Sequence, residues 1–261
     1  MDLGLKGKVA MVAASSRGLG YGVAQALAQE GARVSMCSRN ALEITEAATK
    51  LSNETGAETL GVACDMSNAD AINSWVDQTV TRWGTIDALL VNAGGPPSGA
   101  FKDFNDEQWQ AAFNLTLMSS VRLMRAVIPH MVNGGAILTV TSSSVHEPIE
   151  RLILSTVMRS GVVALVKVLS DEVASSGIRV NNLIPGRIDT DRVKHLDESM
   201  AKQLGVSVEQ VQERSITRIP LHRLGTADEF GAAAAFLLSP AASYITGASL
   251  RVDGGLMRSV A

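Results

Sequence analysis

Cysteine is scarce: Cys37 and Cys64 are the only two in 261 residues. They lack metal-ligand spacing and end two apolar runs, so they read as buried, reduced thiols, and no metal site is expected. No block of basic residues interleaves with aromatics, and the net charge is −3. Nucleic acid is therefore excluded as an expected partner. No apolar run reaches membrane-spanning length, so no membrane partner is expected, and the opening Met1-Asp2-Leu3-Gly4-Leu5-Lys6 has no signal-like apolar core. Low-complexity segments, linkers and shifts of composition are missing too. What remains is a soluble, cytoplasmic, single-domain chain, 46% hydrophobic, with ample material for one large core.

What is present is a rhythm of apolar runs and helical patterns. Lys8–Gly31 sets it: an apolar run Val9–Ala14, a small polar turn Ser15-Ser16-Arg17-Gly18-Leu19-Gly20, then a helix that Gly31 can stop. Further strands are expected at Arg33–Cys37, Thr59–Cys64, Ala88–Val91, Ala136–Val140, Ile178–Ile184 and Ser249–Val252. Helices are expected at Asn40–Thr55 with Asn40 as a possible N-cap, Asn68–Trp83, Asp106–Val132, Arg151–Ser175 and Thr226–Leu238; after Thr190 the pattern loosens. Near-continuous apolar strands alternating with helices predict an α/β fold, a doubly wound Rossmann-type parallel sheet with right-handed crossovers.

In such a sheet a ligand sits at the C-terminal strand ends. Glycines in the first turn let backbone approach a pyrophosphate, and the helix start offers free N–H groups. The other strand ends are polar or bear glycine as well: Cys37-Ser38-Arg39, Cys64-Asp65-Met66, Asn92-Ala93-Gly94, Thr141-Ser142-Ser143-Ser144 and Pro185-Gly186-Arg187. The end of the second strand holds Ser38 and Arg39 where a bare ribose favours an acid. With Arg17 close by, a guanidinium pair suits a 2′-phosphate, so NADP(H) is the expected cofactor.

In this order, these residues resemble the short-chain dehydrogenase/reductase family over essentially the whole chain, and among its branches 3-oxoacyl-carrier-protein reductases. Asn92-Ala93-Gly94 is similar to the family's Asn-Asn-Ala-Gly element, Asp65 to its adenine-contacting aspartate, and Asn114 to the asparagine of its catalytic tetrad. Pro185-Gly186 and Thr190 resemble the nicotinamide-carboxamide turn; Met66 and Ile188 fall in the cofactor set that the resemblance implies. Thr246-Gly247 and Val252-Asp253-Gly254-Gly255 resemble the C-terminal signature. The resemblance implies a homo-oligomer, usually a tetramer, and a small-molecule carbonyl or acyl substrate. The Arg151–Ser175 helix, apolar on more than one face, asks for such a partner.

Two departures stand out. Ala13 and Ala14 occupy the Thr-Gly that opens the family's first turn, and a slightly displaced backbone is expected to absorb the extra methyl. More seriously, the family's Tyr-x-x-x-Lys falls on Ser155 and Arg159, while the chain's tyrosines, Tyr21 and Tyr244, lie far off in sequence. An alcohol is a far weaker acid than a phenol, and guanidinium does not release its proton. The family's catalytic serine falls on Ser144 by pattern or Ser142 by spacing. His146, or water ordered by Ser144 and Ser155, could protonate the product, with His195 a further candidate and His130 and His222 structural or exposed. Leu196, Met200 and Leu204 recur at helical spacing within 190–218, the family's lid region, where an apolar underside would suit an acyl substrate. The reading is an NADP(H)-dependent oxidoreductase with an atypical proton-donating site. The alternatives are a silent NADP(H)-binding sensor or subunit, or a lyase- or dehalogenase-like member.

Overall fold

The computed structural model describes residues 2–259. Seven strands form one parallel sheet: β1 (Val9–Val12), β2 (Arg33–Ser38), β3 (Thr59–Ala63), β4 (Ala88–Val91), β5 (Gly135–Val140), β6 (Ile178–Pro185) and β7 (Ser249–Val252). Their order is β3-β2-β1-β4-β5-β6-β7. The order reverses between β1 and β4, which opens a crevice above their C-terminal ends. On one face lie α1 (Gly18–Gln29), α2 (Ala41–Thr55) and α9 (Ala227–Leu238), burying Val23, Leu27, Ile44 and Phe230. On the other lie α3 (Ala69–Trp83), α5 (Ser119–Val127) and α6 (Ile153–Glu172), burying Trp75, Leu123 and Val166. Strands covered on both faces explain the unbroken apolar runs.

Local signals act as expected. Asn40 and Asn68 cap α2 and α3 by accepting backbone N–H bonds, and Gly31 holds φ at 81° just past α1. α1 and α9 pack almost backbone to backbone: a Cβ on Gly231 would stand 2.4 Å from the Gly22 carbonyl oxygen. Cys37 and Cys64 are both buried free thiols, and burial pushes the Cys37 thiol up.

Four expectations need correcting. The helix predicted over 106–132 is not continuous. α4 (Asp106–Ala112) passes through a wide π-helical turn, Phe113–Met118, into α5, and Pro129 lies in a tight 3-10 turn, Ile128–His130. The turn's signature is an i+5 bond from Ser119 N–H to the Asn114 carbonyl. Second, the loosened region holds two helices, α7 (Asp191–Leu204) and α8 (Val208–Thr217). Third, the apolar stripe of α7 is not its underside: Met200 and Leu204 are exposed, whereas Asp197 and Ala201 are buried. The Arg187–Asp197 ion pair sets this rotation, because a buried carboxylate needs a cation more than a leucine needs cover. Fourth, α6 is 20 residues long with mean hydropathy 1.6, enough to cross a membrane by length and composition alone. Here Val166 joins the core on this face of the sheet, Leu154 and Met158 pack against Ala112 of α4, Val162 is buried, and Val157 and Val168 are exposed.

Asn182 of β6 stitches the sheet below the crevice. Its Oδ1 accepts from the hydroxyls of Thr139 and Thr141, each at 2.9 Å, and its Nδ2 donates to Ser249 Oγ at 3.1 Å. Asn182→Ala leaves two buried hydroxyls without that acceptor. It is expected to cost about 2–3 kcal/mol and lower Tm by roughly 5–10 °C, read by calorimetry.

Candidate active site

The first turn is built for an anion. Arg17 stands at the N-cap of α1, no side chain caps the helix, and its first turn holds no acid. The leading N–H groups therefore remain available. A Cβ on Gly20 would lie 2.2 Å from the Ala14 carbonyl oxygen, so the helix start presses on the turn. Gly18 holds φ at 60° beside Thr190, whose methyl lies 3.7 Å from where its Cβ would be. Ala14 adopts the left-handed conformation natural to glycine, at φ 51°, so the turn carries strain there. Ser15 is buried with Oγ donating to the Val12 carbonyl, so it shapes the turn with its side chain and can offer a ligand only backbone. Ser16 and Leu19 are partly exposed on the turn.

At the next corner Arg17 and Arg39 are both exposed, and neither is ion-paired among the described residues. Ser38 donates to the Asn40 carbonyl, leaving the corner to the arginines. Asp65 is exposed and accepts from Ser67 N–H and Oγ through one oxygen, so the other stays uncommitted. The Met66 side chain is buried in the core against Cys37, which leaves its backbone to meet a ligand. Ala93 likewise packs on that core, whereas nothing lies within 4 Å of a Cβ placed on Gly94, which faces open crevice beside Asn92.

The ends of β5 and β6 complete the arrangement. Ser142 uses its hydroxyl to cap the turn 143–145, accepting from Ser144 N–H. Ser144 is buried and its Oγ has no partner, so unlike Ser142 its hydroxyl is uncommitted. His146 Nε2 is also buried without a partner. From α6, Ser155 Oγ accepts from Arg159 Nε at 3.2 Å. Arg159 Nη1 donates to the carbonyls of Val140 at 2.7 Å and Thr141 at 3.4 Å, which anchors the guanidinium beside the end of β5. Burial, and then the charge of Arg192, pull Arg159 down to about 10, still a cation at neutral pH. Asn114 sits in the π-helical turn that packs on α6. Pro185 ends β6, and Gly186 donates to the Val252 carbonyl with Asp253 too close for any Cβ. Ile188 is buried in the core, and Thr190 caps α7.

Some candidates fall away. His195 is exposed and bonded through Nδ1 to the Asp191 carbonyl of its own helix, as suits a surface residue. His222 is exposed, and His130 lies in the turn after α5. Tyr21 contacts Glu54 on the far side of α1, where burial and that carboxylate push it up to about 12, and Tyr244 is fully exposed. Neither phenol belongs to the crevice. Sequence reasoning missed Arg192, whose guanidinium reaches the carbonyl of Pro96 at 3.5 Å. Its signal was faint: one of several basic residues in the polar stretch after Thr190.

A switch-point crevice, a free helix start and unpartnered polar groups at the strand ends are the features of a Rossmann-type α/β protein. A family described as Enoyl-(Acyl carrier protein) reductase matches residues 13–257. The chain is 33% identical over 254 residues to 3-oxoacyl-[acyl-carrier-protein] reductase FabG of Chlamydia muridarum, covering 97% of this chain and 98% of that one. It is 33% identical over 257 residues to Short-chain dehydrogenase/reductase SDRA of Arabidopsis thaliana, covering 97% and 95%. The structure of L-sorbose reductase from Gluconobacter frateurii, complexed with NADPH and L-sorbose, is similar at a TM-score of 0.95 with 30% identity and full coverage of both chains. The chain belongs to the short-chain dehydrogenase/reductase family, whose similar members here are oxidoreductases.

Proposed function

We infer that the protein is an NADP(H)-dependent reductase of carbonyl or 3-oxoacyl compounds, working in a cytoplasmic homo-oligomer, with a tetramer favoured. The observation that carries this reading is an uncapped helix start flanked by two unpaired arginines, with the buried, unpartnered Ser144 hydroxyl just after β5. The residues fit the cofactor: Gly20 closes the helix onto the turn, Gly94 leaves room, and Arg17 and Arg39 suit a 2′-phosphate. Bound NADPH would supply a hydride to the carbonyl carbon. The developing alkoxide needs positive charge and a proton. Arg159 supplies the charge but keeps its own protons. The proton comes from water held by Ser144 and Ser155, or from His146 as the runner-up; His146→Asn separates these by its kcat-pH profile. The exposed Val157 and Val168 on α6 support the oligomer.

One observation favours a second reading, a nucleotide-binding protein without turnover: no phenol reaches the crevice. The deciding experiment titrates NADPH and NADH by fluorescence, then follows NADPH absorbance with 3-oxoacyl thioesters, ketones and aldehydes. Tight NADPH binding with turnover supports the reductase. Tight binding with none across the panel supports the second reading. Arg39→Asp is expected to raise the Kd for NADPH by about 10- to 100-fold while changing that for NADH by less than about 3-fold, the worth of a charge-assisted contact. Equal changes for both would remove Arg39 from the 2′-phosphate.

A further inference from the structure

Residues 253–259 leave β7 and run past three other pieces of the chain. Asp253 presses on Gly186, just after β6: a Cβ there would stand 2.5 Å from the Asp253 Cα. The Gly254 carbonyl accepts from Leu221 N–H at 3.2 Å, in the turn after α8. Glu147, three residues after Ser144, accepts from Arg258 N–H through Oε1 at 2.8 Å. The segment is itself well held. Asp253 accepts from Gly255 N–H at 2.9 Å and, through its other oxygen, from Met257 N–H at 3.0 Å. Arg251 Nη1 donates to the Ser259 carbonyl at 2.8 Å, and Met257 is buried. A braced segment can brace what it touches.

The loop after β5 needs that brace. Ser142 accepts from Ser144 N–H, Val145 N–H donates to the Ser142 carbonyl, and the N–H groups of His146 and Glu147 donate to the Ser143 carbonyl. All of these bonds are local, and Pro148 has no N–H to add. Among the described residues, the Glu147–Arg258 bond is the one hydrogen bond that ties 142–150 to a distant part of the chain, 111 residues on. The buried Ser144 hydroxyl has no partner, so it does not fix the loop by itself. A loop held by local bonds alone can shift as a unit, and a long-range tie raises the cost of that opening.

We propose that Glu147 is a positioning residue: by holding segment 253–259 it fixes the loop that presents Ser144 to the substrate. This rests on the reductase reading. The bond needs an acceptor oxygen at the right reach rather than a charge, because its donor is a backbone N–H. Glutamine at 147 offers a carbonyl oxygen at the same reach, whereas alanine offers none. A charged acceptor bonds more strongly than a neutral one, so glutamine restores most of the tie rather than all of it.

The test compares the full chain with Glu147→Ala, Glu147→Gln and Arg258→Pro, the last of which removes the donor N–H and leaves Glu147 in place. Amide hydrogen exchange is read across 142–147, and kcat and KM are measured with ketones, aldehydes and 3-oxoacyl thioesters. Glu147→Ala and Arg258→Pro should each speed exchange by about 10-fold or more and lower kcat by about 10-fold, with KM and the Kd for NADPH changed by less than about 3-fold. Glu147→Gln should stay within about 3-fold of the parent in both measurements. Combining Glu147→Ala with Arg258→Pro should add less than about 3-fold to either single variant, since both break one bond. Unchanged exchange in Glu147→Ala, faster exchange with kcat kept, or a Glu147→Gln as impaired as Glu147→Ala would each overturn the proposal. The exchange measurement needs no turnover. A parent chain that reduces nothing on the panel sinks the reductase reading, while faster exchange in Glu147→Ala, restored in Glu147→Gln, leaves the hold of Glu147 on the loop standing.

Discussion

Replacing Arg159 with Met is expected to lower kcat/KM for carbonyl reduction by at least about 100-fold, the usual worth of a preorganised charge at a developing oxyanion. Met preserves much of the volume, so the loss would report charge and hydrogen bonds more than packing. Some stability falls as well, because the Val140 and Thr141 carbonyls lose their donor. Thermal unfolding separates that from catalysis. Arg159→Lys gives the sharper result. A lysine begins near pKa ~10.4, and burial with Arg192 beside it would lower the group further. The charged form is the working form, so activity should be kept at low pH and lost on the alkaline side earlier than in the parent enzyme. Unchanged kcat/KM in Arg159→Met would remove this residue from the reaction.

Gly20→Ala is expected to be more disruptive than its single methyl suggests. The new Cβ would stand 2.2 Å from the Ala14 carbonyl oxygen and 2.9 Å from both Ala14 C and Ser15 Cα. All three are backbone atoms of the turn that presents the helix start, so no flexible side chain can yield. The helix must lift off, at a cost of about 3 kcal/mol and a Tm lower by roughly 6–12 °C. NADPH affinity should fall by about 100-fold or more, since the helix N–H groups leave their positions. Fluorescence titration of folded protein, verified by circular dichroism, reads this directly. A folded variant with parental affinity would mean that something other than this helix start holds the phosphates. Ala14 offers a counterpart within the same turn: its positive φ shows that the chain tolerates strain there, whereas at Gly20 the obstacle is a collision.

Much of the site was legible in the chain because strand ends are where a parallel sheet exposes its ligands. The glycine turn, Arg39, Asp65, Asn92–Gly94 and Pro185–Gly186 all follow from alternating apolar runs and turn residues. Asn40 and Asn68 could be read as caps because capping is local, reaching two or three residues ahead. Between Ser142 and Ser144 the sequence pattern favours Ser144, but it does not show what either hydroxyl does in the loop. That depends on which hydroxyl the loop consumes for its own turn, and Ser142 is the one that caps.

The order of strands and helices, the family and the confinement of tyrosine to positions 21 and 244 were determined by sequence alone, since periodicity and residue identity travel along the chain. Tertiary structure decided the rest. The π-helical turn at Asn114, the left-handed Ala14 and the rotation of α7 by the Arg187–Asp197 pair turn on which partners meet in space. So does Arg192, which meets a carbonyl 96 residues away. Burial pattern is a one-dimensional signal with the period of a helix or strand. The cost of an unpaired buried charge or a crowded carbonyl is set by neighbours that only the folded chain supplies.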